Sequence, residues 1–232
     1  LGFEEADLDK LEQRLVNNKR LYVQSVFSHL AASDDPGSDD FTHGQIEEFR
    51  SMCDRLCSAI NRPVIRHMMN SAGITRFPDA HFDMVRLGIS LYGVASNPED
   101  EERLQNVSTL RSTISQIKKV AAGQRVGYGS VTIDTDKDIA VVPVGYADGL
   151  DRRLGHGRGY LLINGDRAPI IGNICMDMCM VDVTGIKARE GDNVIIFGND
   201  RPVTSLAADL DTIPYEVMTS LSGRVKRVYY QE

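Results

Sequence analysis

The hydrophobic pattern of this chain changes character once, at an acidic stretch from Asn97 to Glu102 that contains Pro98. Before it, helical and extended segments alternate; after it, nearly every apolar run is short, β-branched and bounded by turn residues. Strands alternating with helices imply a parallel sheet with crossover helices, whereas many short strands separated by tight turns imply an antiparallel sheet or barrel. The chain is therefore expected to hold an α/β part at residues 1–96 and a mostly β part at residues 97–232, with the acidic stretch as linker.

Within the first part, Glu4 to Lys19 has helical periodicity through Leu8, Leu11 and Leu15. Tyr22 to Leu30 reads as a strand ending near His29, and Ala32 to Asp40 as a turn-rich loop. Thr42 to Ile60 predicts an amphipathic helix with Ile46, Phe49, Met52, Cys53, Leu56 and Ile60 on its apolar side. Pro63 to His67 and Met84 to Leu87 read as short strands. Polar residues (His29, Asn70, Ser71, Arg86) stand at or just after strand ends, where parallel sheets gather their ligands. In the second part, strands are expected at 107–117, 126–133, 139–144, 160–163, 168–171, 178–183 and 194–197. The Asn164-Gly165 pair signals a tight hairpin, and a helix or two is expected between Ser205 and Leu221.

The net charge of −7 over 232 residues argues against nucleic acid as a partner, because phosphate backbones demand a basic surface. It leaves room for a local basic pocket that binds a small anion. No apolar run approaches the roughly 20 residues that span a bilayer. The four cysteines form two pairs of equal spacing, Cys53/Cys57 and Cys175/Cys179. Zinc is conceivable, but no histidine lies nearby and thiols in apolar stretches serve as small hydrophobes, so no metal is expected. Reduced cysteines point to a cytoplasmic location.

The stretch Met84-Val85-Arg86-Leu87-Gly88-Ile89-Ser90-Leu91-Tyr92-Gly93 carries the most chemistry. Read with Asn70-Ser71-Ala72-Gly73 and Val126-Gly127-Tyr128-Gly129-Ser130, it resembles the cofactor-binding part of the alanine racemases. That family uses pyridoxal phosphate (PLP) to interconvert L- and D-alanine. The resemblance runs from Leu1 to Tyr229. It takes in Val144-Gly145-Tyr146-Ala147-Asp148-Gly149, Ile174-Cys175-Met176-Asp177 and Thr212-Ile213-Pro214-Tyr215-Glu216-Val217.

The resemblance implies the last part of a (β/α)8 TIM barrel followed by a C-terminal β domain. It implies that Ser71, Gly88, Ile89 and Tyr215 bind the cofactor on its phosphate side, that Asn70 is a further cofactor-binding residue, that Arg86 faces the pyridine nitrogen, and that His29 stands behind Arg86. Tyr128 is implied as one of two bases on opposite faces of the substrate α-carbon. Tyr146, Arg152 and Met176 are implied as substrate contacts, with Cys175 a neighbour and not a nucleophile. A homodimer follows, since in this family the tyrosine of one subunit completes the site of the other, and D-alanine would feed peptidoglycan. Where family members often carry arginine this chain has Asn173, a departure that bears on the charge pattern of the substrate entryway.

Each match alone has a plainer reading. Ser71, Gly88, Ile89 and Tyr215 could be turn or core residues, Tyr128 a strand-edge tyrosine, His29 a structural histidine, and Arg86 the partner of Asp83 or Glu48 in a surface ion pair. The chemistry favours the sharper reading for Arg86. Arginine is a permanent donor, so it can hydrogen-bond an unprotonated pyridine nitrogen without protonating it, which weakens the ring as an electron sink and suits racemisation over transamination. A tyrosine, with a pKa near 10 in water, needs nearby positive charge or hydrogen bonds to act as a base.

The family's PLP-binding lysine would fall before Leu1, and none of the seven lysines here stands in a matching motif. The sequence does not begin with methionine and reads as a piece of a longer chain, offering about three of the eight barrel strands. The 232 residues by themselves are expected to be inactive. Rival readings are a racemase of broader amino-acid specificity and a non-catalytic dimerisation module, including part of a fusion with a cell-wall ligase.

Overall fold

The computed structural model describes residues 2–96 and 98–230. The chain divides into two compact units, Leu1–Gln105 and Asn106–Glu232.

In the first unit α1 (Leu8–Asn17) leads to the strand β1 (Ser25–Phe27), the long helix α2 (Asp39–Ile60) and the strand β2 (Ile65–His67). The two strands are parallel, pairing Ser25 with Ile65, Val26 with Arg66 and Phe27 with His67. This is a strand–helix–strand unit, and α2 is its crossover. The helix has the face its periodicity requires: Ile46, Phe49, Cys53 and Leu56 are buried, while Met52 and Ile60 sit half-buried at its margin. Each such buried aliphatic or aromatic side chain contributes about 1.5–3 kcal/mol. Ile46, Phe49 and Cys53 pack against Leu30, Met68, Met69, Phe77 and Ala80. Asn61 ends α2 in the left-handed conformation at φ 52°, its N–H returning to Cys57 O. Arg55 ties α1 to α2 through Asp9 and Glu12.

After β2 a short helix α3 (Ser71–Arg76) begins, and a 3-10 turn occupies Ile89–Tyr92. The strand expected at Met84 to Leu87 does not form. Phe82 turns the chain at φ 53°, and the following segment touches its neighbours through Asp83 N–H to Arg66 O and Arg86 N–H to Met69 O. Two bonds three residues apart do not make a ladder. The acidic stretch forms the four-residue helix α4 (Pro98–Glu101) where a linker was expected; Asn97 lies outside the described residues.

The second unit is a curled antiparallel sheet of seven strands: β3 (Leu110–Thr113), β4 (Gln116–Val120), β7 (Lys137–Val142), β8 (Tyr160–Ile163), β9 (Asp166–Ile171), β10 (Cys179–Asp182) and β11 (Asn193–Phe197). Their order is β3-β11-β8-β9-β10-β7-β4. β3 and β4 lie at opposite ends of this order, yet only Ile114 and Ser115 separate them, so the sheet must curl back toward itself. The expected strand 107–117 is therefore two strands. A separate hairpin, β5 (Arg125–Val126) with β6 (Val131–Thr132), replaces the continuous strand expected at 126–133. Asn164 and Gly165 make the β8–β9 turn at φ 52° and 88°, the left-handed pair that a two-residue hairpin of this hand requires. Helices α5 (Val203–Asp209) and α6 (Pro214–Thr219) complete the unit.

Candidate active site

The candidate residues fall in both units. In the first, Asn70 caps α3: its Oδ1 accepts the Gly73 N–H at 2.9 Å and the Ser33 hydroxyl at 2.8 Å. This sets the direction of Ser71, whose Oγ accepts the backbone N–H groups of Gly88 (2.9 Å) and Ser90 (3.3 Å). With two amides donating to its oxygen, the buried Ser71 keeps its own proton to donate. Ile89 opens the adjoining 3-10 turn, the position whose N–H has no partner within the turn. Ser71, Gly88 and Ile89 are thus gathered into one cluster rich in N–H and O–H donors.

Arg86 is not the surface ion pair of the plainer reading. Asp83 is taken by the backbone N–H and Nε of Arg66, and Arg86 has no carboxylate partner among the described residues. Its guanidinium donates to Ser28 O at 2.7 Å and His67 O at 3.1 Å, and to two imidazoles, His67 Nδ1 at 2.5 Å and His29 Nδ1 at 3.3 Å. Burial lowers the pKa of the guanidinium relative to a free arginine. His67, absent from the sequence-based candidates, makes the shorter contact. It stacks on Phe27, its partner across β1 and β2, with ring centres 5.5 Å apart. No sequence signal marks it, because its place opposite Phe27 depends on the parallel register of β1 and β2.

Burial, and then the charge of Arg86, push the His67 pKa below the ordinary 6.5. His67 is therefore neutral at pH 7, as an acceptor from arginine must be. A group whose pKa is depressed on folding contributes stability above its unfolded pKa and loses it as pH falls toward the native value. We expect the His67 ring to titrate below 6.5 in an NMR titration; a midpoint at or above 6.5 contradicts the arrangement.

In the second unit the structure brings Tyr128, Tyr146, Arg152 and Met176 to one cleft of about 430 Å³, with Cys175 and Asp177 beside them. Tyr128 caps the β5–β6 hairpin and is 73% exposed. The hairpin rides on a small apolar cluster in which Val126 packs against Ile133, Ile139 and Met180. Tyr146 and Ala147 donate their N–H groups to Cys175 O and Met176 O, each at 3.0 Å. Gly145 permits this approach, because a Cβ there would collide with both of those carbonyl oxygens. Arg224 locks the same two loops by bonding Asp148 and Asp177, each at 2.7 Å. Burial pushes the Asp148 carboxyl up, but bonds from Arg224 and the Gly145 N–H outweigh it and leave its pKa below the usual value. The Arg152 guanidinium lies 5.9 Å from the centre of the Tyr146 ring. Tyr215 is the second residue of α6 and is half exposed.

The cysteines behave as small hydrophobes. Cys53 and Cys179 are buried, and burial pushes each thiol up to about 12. Among the described residues no group of three or more His, Cys, Asp or Glu side chains could hold a metal ion, and no helix is long and apolar enough to cross a membrane.

An α/β unit carrying a donor-lined cluster, followed by a β unit carrying a tyrosine–arginine cleft, defines a two-part protein whose halves both have known counterparts. Residues 1–96 match the family described as alanine racemase, N-terminal domain, and residues 107–229 match alanine racemase, C-terminal domain. The alanine racemase of Desulfosudis oleivorans is 42% identical over 222 residues, covering 90% of this chain and 55% of that protein. The crystal structure of alanine racemase from D-cycloserine-producing Streptomyces lavendulae superposes with a TM-score of 0.91 at 34% identity, covering 100% of this chain and 63% of that one. The Bartonella henselae enzyme, solved with covalently bound pyridoxal phosphate, gives 0.86 at 31% identity over 99% of this chain and 63% of that one. The chain belongs to the alanine racemase family. Its first unit is the last part of the family's (β/α)8 barrel and its second the C-terminal β domain. The chain spans 55% and 62% of the length of two of the curated relatives it matches.

Proposed function

We propose that the protein carrying this chain is a PLP-dependent alanine racemase, interconverting L- and D-alanine and supplying D-alanine for peptidoglycan in the cytoplasm. The observation that carries this reading is Arg86: a half-buried guanidinium with no carboxylate partner among the described residues, braced by neutral His67 and by carbonyl oxygens at the ends of β1 and β2. The donor set fits the cofactor. A phosphate requires donors, which Ser71 and the start of the Ile89–Tyr92 turn offer, and an unprotonated ring nitrogen requires a donor that yields no proton, which Arg86 is.

When bound, PLP supplies the electron sink that makes the alanine α-proton removable. The residues of this chain would contribute binding, orientation and one of the two proton-transfer groups. Ser71 would hold the phosphate by a hydrogen bond from its hydroxyl, and the start of the turn would add one from the Ile89 N–H. Gly88, whose N–H is bonded to Ser71 Oγ, lets the backbone pass close by. Asn70 acts through the cap that orients Ser71. His29 borders Arg86, and Tyr215 is proposed as a further phosphate ligand on the family resemblance. Tyr128 Oη holds or gives the proton on one face of the α-carbon, while Tyr146, Met176 and Arg152 bound a small substrate and exclude larger side chains. The protein is proposed to act as a homodimer in which the partner's Tyr128 completes each site.

The test is to incubate the intact protein with PLP and L-alanine in deuterated water. D-alanine carrying deuterium at the α-carbon is expected, with much slower exchange for lysine or leucine. No exchange of alanine overturns the reading, and equal exchange of all three favours a broad-specificity racemase.

A further inference from the structure

We propose that Asn173 is the positioning residue of this cleft: one neutral side-chain amide ties the Tyr128 loop to Arg152. The proposal rests on the reading of Tyr128 as a proton-transfer residue.

The backbone of Asn173 is held firmly. It follows β9 directly after Gly172, which turns the chain at φ 61° and whose carbonyl accepts the His156 N–H at 2.8 Å. The side chain then bonds in three directions. Its Nδ2 donates to Tyr128 O at 2.8 Å. Its Oδ1 accepts from Arg152 at 3.4 Å and lies 3.2 Å from His156 Nε2. These partners determine which way the amide points. A carbonyl oxygen can only accept and a guanidinium can only donate, so the nitrogen must face Tyr128 and the oxygen Arg152.

The Tyr128 loop needs such a tie. Gly127, Gly129 and Ser130 all have positive φ, at 67°, 84° and 51°. A loop rich in glycine has many alternative paths of similar energy. Each flanking strand is only two residues long, and the turn bond Ser130 N–H to Gly127 O, at 3.2 Å, is internal to the loop. The Asn173 bond is what fixes the loop to the wall of the cleft. Gly129 accommodates it, since a Cβ there would come within 2.8 Å of Asn173 Nδ2.

Arg152 is the other end of the tie, and it in turn lies over the Tyr146 ring. The asparagine therefore links Tyr128, Arg152 and Tyr146 through one chain of contacts. Arginine at position 173 could donate to Tyr128 O, but it has no acceptor to offer Arg152 and would repel it. The neutral amide gives Arg152 an acceptor in place of a second, opposed cation.

The experiment compares Asn173→Asp and Asn173→Ala with wild type in the intact protein. Aspartate keeps an acceptor for Arg152 but sets a carboxylate against the Tyr128 carbonyl; alanine removes both bonds. Amide hydrogen exchange at residues 128–130 is expected to accelerate about tenfold or more in both, while Leu161 to Ile163 in β8 keep their protection. kcat for alanine is expected to fall about tenfold or more, with KM changed less in Asn173→Asp than in Asn173→Ala. With α-deuterated alanine, the primary isotope effect should rise for the enantiomer whose α-proton faces Tyr128 and not for the other. Unchanged loop exchange or unchanged kcat overturns the proposal. So does a loss of protection that spreads through β8, which would make Asn173 a general stabiliser. A wild-type protein that does not racemise alanine overturns the functional reading and this role with it, and shows itself before any substitution is made.

Discussion

Tyr128→Phe is expected to slow alanine racemisation by about 10²- to 10⁴-fold, the range supplied by a positioned general acid–base group. The ring is 73% exposed and no described hydrogen bond uses its hydroxyl, so the substitution removes one proton-carrying atom and little packing. The loop tie through the Tyr128 carbonyl also survives, because it belongs to the backbone. The thermal midpoint should therefore stay at the wild-type value while kcat falls in both directions. Rates of L-to-D and D-to-L conversion, read by polarimetry beside a melting curve, decide the matter. A variant within threefold of wild type would mean that another group moves this proton.

The second large effect is on stability. Arg201 is only 1% exposed although it is charged. Its guanidinium donates to Tyr160 O and Ile196 O, pairs with Asp209 at 2.7 Å and lies 3.9 Å from the centre of the Tyr160 ring. Removing one partner of such a pair leaves a charge in low dielectric with nothing to balance it, at a cost of about 3–5 kcal/mol. Asp209→Ala is expected near the lower end of that range, because the aspartate itself is partly exposed. Urea unfolding should show the midpoint shifting with no change in slope. The double substitution Arg201→Met with Asp209→Ala should recover part of the loss, since it removes the stranded charge. A loss below about 1 kcal/mol in the single variant would mean that water reaches the guanidinium.

What was legible in the sequence is what depends on neighbours along the chain. The buried face of α2 follows from 3.6-residue periodicity, and the β8–β9 turn from the tolerance of Asn164 and Gly165 for positive φ. Met84 to Leu87 misled because apolar composition signals burial and β propensity but does not supply a ladder partner. Asp83 and Phe82 take the chain out of register before a third strand can form. The split of 107–117 into β3 and β4 was equally hidden, since the bend at Ile114 and Ser115 is dictated by strands far away in sequence.

The site divides in the same way. The motifs around Arg86, Tyr128, Tyr146 and Met176 could be recognised one by one, because residue type and immediate context limit what each can do. Which histidine braces Arg86 could not be read, as it depends on the parallel register that sets His67 opposite Phe27. The burial of Arg201 and the tie at Asn173 were invisible for the same reason. By itself the sequence determined the order of the units, their helical and extended segments and the residue types able to do chemistry, all set by local backbone preference and periodicity. Only the tertiary structure decided that Tyr128, Tyr146, Arg152 and Met176 share one cleft, because the antiparallel order β9-β10-β7 brings together loops that the chain itself keeps far apart.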